Sequence, residues 1–377
     1  MRNEIAKVSS SFNPSYWRTV YKEKRFPDEY WNALSSSGLF GMLIEKRWGG
    51  LEKTPLDLTL AVMETAERYA GLGSYLFLSG ALVSTFFSKH GTEKQKEELL
   101  PKLAKGQVKI SIALTEESSG FDSSSIQTFA KKSPKGGFEI KGSKTFVNNV
   151  DRADYLLLFA RTTPLKDSEK KSMGVTMFLV DANNPAIHPR RLEKIGWNFI
   201  NNFSMEIDEL NAPEESIVGE MDRAWYNAVE SFNLDRIMTS ASLIGTGRLA
   251  LTQASEYASK RNVFGKPIGS NQGVQFPMAD AVAQLLSAEA MTLKSASIAT
   301  NGGNYMNEAN YSLQCSETAA TSATERAMQT LGGHGYYEEY DVARYWIDVR
   351  AHKVHPISEE LLLATIAERS LRLPKSY

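Results

Sequence analysis

The sequence predicts an α+β chain of three units: an N-terminal α-helical domain over residues 1–110, a central antiparallel, barrel-like β domain over 111–222, and a C-terminal bundle of four helices over 223–377. Three observations carry that expectation. Apolar residues recur at helical spacing up to about residue 108, short β-branched and aromatic runs replace them from Lys109, and four long helical patterns follow Asp222. Strand and helix do not alternate regularly, which disfavours a doubly wound parallel sheet. With 377 residues, 42% of them apolar, the chain has the length for two or three units and the side chains for a large core.

The first helices show in the spacing of Trp31, Leu34 and Leu39, then of Leu58, Val62 and Ala66, with Gly49-Gly50 and Pro55 as punctuation. The most apolar stretch, Tyr75 to Phe87, contains Ser79, Gly80 and Thr85 and is shorter than the ~20 residues a membrane span needs, so it reads as a core helix. Strands are expected over Gly137 to Val147, Tyr155 to Arg161, Gly174 to Val180 and Phe203 to Ile207, each bounded by Gly, Pro, Asn or Asp. In the bundle, one helix runs from Ala224 to Lys260 and a second carries Phe276, Ala279, Ala283, Leu286, Ala290 and Leu293. A third leads to Leu331 and a last starts near Glu359.

Composition removes several function classes. The chain has 43 Lys+Arg against 44 Asp+Glu, a net charge of −1, which gives no electrostatic reason to bind nucleic acid. The single Cys315 leaves no intramolecular disulfide or multi-cysteine metal site and fits a reducing compartment, so a cytoplasmic location is expected. The start, Met1-Arg-Asn-Glu4, lacks the order of a secretory signal. Five histidines include no H-E-x-x-H pair, and there is neither a G-x-S-x-G elbow nor a P-loop. Gly245-Thr-Gly247-Arg-Leu-Ala250 matches a dinucleotide fingerprint, but helical periodicity precedes it and no acidic residue follows at the ribose distance, so close helix packing is the better account.

Three segments place polar groups and glycines where the surrounding pattern does not require them. Ala113-Leu-Thr-Glu-Glu-Ser-Ser-Gly-Phe-Asp122 offers hydroxyls and backbone N–H groups suited to an anionic or heteroaromatic ligand. Lys260-Arg-Asn-Val-Phe-Gly-Lys-Pro-Ile-Gly-Ser-Asn-Gln272 puts Arg261, a possible phosphate partner, near an aromatic side chain. Gln329-Thr-Leu-Gly-Gly-His-Gly-Tyr336 ends a helix in glycines that serve either as C-caps or as a surface for a ligand.

In this order the three segments resemble the acyl-CoA dehydrogenase family, over nearly the whole chain. Thr115-Glu116 through Gly120 and Asp122 resembles its Thr-Glu-Pro-x-x-Gly-Ser-Asp signature. Arg261, Phe264, Gly265 and Gln272 match its Arg-x-x-Phe-Gly-x-x-Ile-x-x-x-Gln stretch, and Gln329, Gly332, Gly333 and Gly335 match its Gln-x-x-Gly-Gly-x-Gly. The resemblance implies FAD as cofactor, an acyl-CoA substrate, an electron-transferring flavoprotein or similar acceptor, and a homotetramer built as a dimer of dimers. It implies that Leu114 and Thr115, with the Phe146 to Asn149 segment that includes Asn148, meet the isoalloxazine ring. Arg261, Phe264, Gln272, Gln329, Gly332 and Gly333 then reach the partner's flavin, and Ser358 keeps a hydroxyl for its adenine side. Departures fall at Glu117 for the signature Pro, Phe121 for Ser and Asn148 for Thr.

The implied chemistry is α,β-dehydrogenation, in which a carboxylate removes the α-proton while the β-hydrogen leaves as hydride to the flavin. Counted without gaps from the glycine pair, the family's usual base, a Glu, falls on Pro356. Two substitutes are visible. Leu234-Asp235-Arg236 matches the Leu-Glu-Arg with which some members place the base on a bundle helix, Arg236 then positioning substrate; Glu359 reaches the usual place if the loop shifts. Pro356 also leaves open a base-deficient subunit of a hetero-oligomer, and the fold leaves open a flavin monooxygenase or oxidase.

Overall fold

The computed structural model describes residues 2–68, 73–120 and 122–375. Among the described residues six α-helices form the N-terminal part: α1 (Arg2–Ser10), α2 (Pro14–Glu23), α3 (Asp28–Ser37), α4 (Pro55–Glu67), α5 (Gly73–His90) and α6 (Glu93–Ala104). Their ends follow local chemistry. Asn13 caps α2 by accepting from Tyr16 N at 3.0 Å, and Thr54 with Asp57 and Thr92 with Gln95 form capping boxes on α4 and α6. Trp17, Tyr30, Phe40 and Phe77 are fully buried between these helices. Gly80 is required where α5 crosses Phe40, because a Cβ there would lie 2.4 Å from the ring.

An eight-stranded sheet follows: β1 (Ile110–Ala113), β2 (Phe129–Lys132), β3 (Phe138–Asn148), β4 (Tyr155–Arg161), β5 (Val175–Asp181), β6 (Ile187–Leu192), β7 (Asn202–Ala212) and β8 (Ile217–Val218). The order is β6-β7-β3-β2-β4-β5-β8, with β1 on β4. The expected antiparallel pairing holds for most neighbours, but β1 joins β4 in parallel, as does β2 at Phe129. The residues between β1 and β4, which contain β2 and β3, supply the long crossover that a parallel pair requires. One face of the sheet packs its own core around Ile140, Leu158 and Leu210; the other, through Leu157, Phe159 and Met177, packs on α5, α6 and the start of the next helix.

That helix, α7 (Ala224–Lys260), is the axis of a bundle with α8 (Gln272–Thr300), α9 (Met306–Leu331), α10 (Val342–Ala351) and α11 (Glu359–Leu371). A short hairpin, β9 (Asn262–Val263) and β10 (Lys266–Pro267), separates α7 from α8. Helix α10 is a fifth helix beside the four the sequence marks. The glycine pair behaves as close packing requires: a Cβ on Gly245 would lie 2.5 Å from Ala66 Cβ, and one on Gly247 2.9 Å from Leu285. Helix α8 differs from expectation. Its inward face is Ala281, Leu285, Ala288, Thr292 and Ala296, whereas Phe276 and Leu286 of the expected stripe stand 61% and 54% exposed.

Candidate active site

The segment after β1 is pinned from beneath by one buried ion pair. Lys144 Nζ donates to Leu114 O at 2.9 Å and to Glu116 Oε1 at 2.8 Å, while Glu116 accepts from Gln127 N at 2.6 Å and Thr128 N at 2.9 Å. Burial pushes the Lys144 ammonium down to about 8 against the pull of Glu116. Burial would raise the Glu116 carboxyl, but Lys144 and the hydrogen bonds outweigh it and hold it below its usual value. Thr145 N donates to Thr115 O at 2.9 Å, so Leu114 and Thr115 sit on a fixed backbone. Just beyond, the β3–β7 register shifts between Lys144 and Val147, and Phe146 takes a φ of 56° with 65% exposure. Such irregularities re-aim side chains at functional edges.

A second group gathers around Tyr75. Asn148 Nδ2 donates to Tyr75 Oη at 2.8 Å, and Asn148 Oδ1 accepts from Asn202 Nδ2. The Tyr75 ring lies 4.7 Å from Trp197 and 6.2 Å from His355, and Trp197 also meets His355 at 5.6 Å and His352 at 4.9 Å. Trp197 is fixed by Asp348, its N donating to Oδ1 at 2.6 Å and its Nε1 to the carbonyl at 2.8 Å. Asp235 faces this group from α7: burial first, then its charge, raises the Tyr75 phenol. Burial pushes the half-buried Asp235 carboxyl up to about 7, opposed by Arg236, and among the described residues no hydrogen bond engages it. Arg236 Nη1 donates to Asn233 Oδ1 at 2.5 Å.

Glu359 is placed differently. It opens α11 after Ser358, whose Oγ caps the helix by accepting from Leu361 N at 3.3 Å, and it pairs with Lys353 Nζ at 2.6 Å. Lys353 is the first cause of a carboxyl held below its usual value.

The remaining candidates form an open surface at one end of the bundle. Phe264, at the tip of the β9–β10 turn, is fully exposed with a φ of 53°, and Arg261, Gln272, Gln329, Gly332 and Gly333 are exposed as well. Tyr257 Oη lies 3.0 Å from His334 Nδ1, and Arg261 N donates to Tyr257 O at 2.9 Å, which joins the hairpin to the glycine turn. A Cβ on Gly332 or Gly333 would meet nothing within 4 Å, so the turn leaves room for close approach. Among the described residues no hydrogen bond or ring contact links this surface to Leu114, Thr115 or Phe146.

Sequence reasoning missed Tyr75, Trp197, His355 and Lys144. Only Lys144 carried a local signal, since it falls in phase with the inward-facing Phe138 and Ile140 on β3. Phe121 lies outside the described residues.

Models of the N-terminal, middle and C-terminal domains of acyl-CoA dehydrogenase match residues 1–107, 111–210 and 222–371. Acyl-CoA dehydrogenase FadE12 of Mycobacterium tuberculosis is 29% identical over 382 residues, covering 100% of this chain and 96% of that protein. An acyl-CoA dehydrogenase of Bacillus subtilis is 30% identical over 341 residues, covering 90% and 89%. The solved structure of butyryl-CoA dehydrogenase from Megasphaera elsdenii superposes with a TM-score of 0.91 at 27% identity, covering 99% of this chain and 98% of that one.

Proposed function

The chain belongs to the acyl-CoA dehydrogenase family, and from that premise we propose that it oxidises an acyl-CoA thioester between its α and β carbons, with Asp235 as the proton acceptor and FAD as the cofactor. The observation that carries the reading is the state of Asp235: a carboxyl with no hydrogen bond among the described residues, raised by burial to about 7. A base with that affinity binds the α-proton well and is about half ionised near neutral pH. The Arg236 guanidinium beside it helps position the substrate and favours the ionised form of Asp235.

The residues present fit a flavin. The outward Phe146 ring and the fixed Leu114–Thr115 backbone suit a flat heteroaromatic ring, and Asn148 keeps one amide N–H beyond those it spends on Tyr75. When bound, FAD supplies the acceptor for the β-hydrogen as hydride. Arg261, Phe264, Gln272, Gln329, Gly332 and Gly333 would serve the flavin of a second copy, with Ser358 at the adenine side, in a homotetramer built as a dimer of dimers. The apolar outer face of α8 supports that assembly, as Phe276, Val282 and Leu286 are 61%, 45% and 54% exposed. Electrons then pass to an electron-transferring flavoprotein or similar carrier. The lone Cys315 suits the cytoplasm.

Anaerobic mixing of the FAD-loaded protein with a panel of acyl-CoAs tests the reading. At least one thioester bleaches the flavin; bleaching by none overturns it. Pro356 favours one second reading, a subunit that keeps fold and flavin while a partner chain supplies the base. Full activity of the pure homo-oligomer removes that reading, and co-purification of a homologous chain with a Glu at this loop supports it.

A further inference from the structure

The Asn148 amide is fixed at both ends, and each fixing group traces back to Trp197. Its Nδ2 donates to Tyr75 Oη at 2.8 Å, and the Tyr75 ring packs on the Trp197 ring with 4.7 Å between centroids. Its Oδ1 accepts from Asn202 Nδ2. Asn202 opens β7 at the end of the connection that holds Trp197, and the turn between them closes through Ile200 N, which donates to Trp197 O at 2.9 Å. The adjacent residues repeat the tie, as Asn149 N donates to Asn201 O at 2.7 Å and Asn201 N to Asn149 Oδ1 at 2.9 Å. A shift of Trp197 therefore reaches Asn148 from two sides.

Trp197 has a backbone that its own sterics disfavour. Its φ of 53° lies in the left-handed region, where a bulky residue stays only if its surroundings hold it. They do so at a single peptide unit. Gly196 O accepts from Lys194 Nζ at 3.0 Å, and Trp197 N donates to Asp348 Oδ1 at 2.6 Å. The indole Nε1 adds a bond to the Asp348 carbonyl at 2.8 Å, and Tyr21 Oη on α2 donates to Asp348 Oδ1 at 3.1 Å. Asp348 is 4% exposed, and the helix that carries it is anchored separately, because Asp341 accepts from Arg18 Nε at 2.8 Å and from Arg344 Nη2 at 2.9 Å. Asp348 is thus the fixed point against which the β6–β7 connection is set. We infer that Asp348 is a positioning residue that orients the Asn148 amide through Trp197, Tyr75 and Asn202, an inference that rests on the flavin site proposed above.

FAD titration of the full-length apoprotein tests this, with the visible spectrum and midpoint potential of the bound flavin as readouts that a loss of stability alone does not move. Asp348→Ala is expected to weaken FAD binding about tenfold and to shift the spectrum. Asp348→Asn restores both, since an amide oxygen accepts the same bonds from Trp197 N and Tyr21 Oη. Tyr75→Phe keeps the ring and loses the hydroxyl that Asn148 meets, for a loss of about threefold. The Asp348→Ala, Tyr75→Phe double variant is expected to lose about tenfold, not the roughly thirtyfold of independent sites, because the first change already releases what the second removes. If Asp348→Ala does not fold, Trp197→Phe takes its place in the cycle, with the same non-additivity expected. Losses that multiply, an Asn variant no better than the Ala variant, or wild-type affinity and spectrum in Asp348→Ala each overturn the inference and leave the flavin reading intact. Wild-type protein that binds no FAD removes both.

Discussion

Lys353 Nζ and Glu359 Oε1 stand 2.6 Å apart, fastening the loop that holds His355 and Pro356 to the first turn of α11. Glu359 also accepts from Gln314 Nε2 at 3.4 Å, and its carboxyl is held below the usual value. A paired anion of this kind is a poor proton acceptor, and its place beside the Ser358 cap gives it a helix-end role. Asp235→Asn is therefore expected to lower kcat by about 10²–10⁴ with the bound-flavin spectrum unchanged. Glu359→Gln is expected to keep the rate within a few-fold and to cost up to about 1 kcal/mol of stability. Single-turnover flavin reduction in both variants checks the pair; a large loss confined to the Glu359 variant assigns the base the other way.

The rate should also follow the ionisation of Asp235. Its carboxyl is raised from 3.8 to about 7, and the base works ionised, so kcat/KM rises with pH and levels off above about 7. Stability runs in the opposite direction. A carboxyl whose folded pKa exceeds its unfolded one contributes stability that is full below 3.8 and is lost as pH rises through about 7. A pH–rate profile with no ascending limb near 7 would count against Asp235 as the group that titrates.

The parts of the fold that showed in the sequence are those with a single apolar phase. Leu58, Val62 and Ala66 on α4 and the alternation along β3 left one possible face to bury. Helix α8 is apolar on two faces, so periodicity alone could not say whether Leu285 or Leu286 turns inward. Strand β6, Ile-His-Pro-Arg-Arg-Leu, has almost no apolar alternation and exists through its pairing with β7. The flavin-side segments were legible because each is continuous in sequence. Tyr75, Trp197 and His355 come from α5, the β6–β7 connection and the α10–α11 loop, and no spacing rule joins them.

Lys144 should prove essential to the flavin-side backbone. Its ammonium is buried, and removing it leaves Glu116 as an uncompensated carboxylate and frees Leu114 O. Lys144→Met is expected to cost about 3–5 kcal/mol. Weakened FAD binding in titrations, together with a lower melting temperature, is the outcome that checks it; unchanged FAD affinity would show that Leu114 and Thr115 hold their position without the pair.

Glu317 on α9 gives a stability signature distinct from that of the site. Both carboxylate oxygens are buried without a partner, and burial, then the Glu359 charge, raises the carboxyl from 4.5 to about 8. The folded protein therefore retains this proton where the unfolded chain has lost it, and the associated stability falls as pH climbs from 4.5 through about 8. Glu317→Gln removes a charge that must otherwise be suppressed. The variant should melt near the wild-type temperature at pH 5 and above it at pH 9, as followed by circular dichroism. Equal melting at both pH values would mean that Glu317 does not titrate as its burial demands.

The outer face of α8 and the Arg261 hairpin should be separable by mutation. Phe276 and Leu286 are 61% and 54% exposed and Phe264 is fully exposed, so among the described residues nothing covers them. Leu286→Glu places a charge on that face and is expected to yield smaller species in sedimentation. If Arg261 and Phe264 serve a neighbour's flavin, the dissociated variant loses FAD although its own Leu114, Thr115 and Phe146 are unaltered. Arg261→Ala, by contrast, should keep the assembly and lower FAD affinity by about 1.5–3 kcal/mol, the contribution of a hydrogen bond to a charged group. A dissociated Leu286→Glu variant that retains wild-type FAD affinity would show that each flavin is held within one chain, and the dimer of dimers would then have no role in cofactor binding.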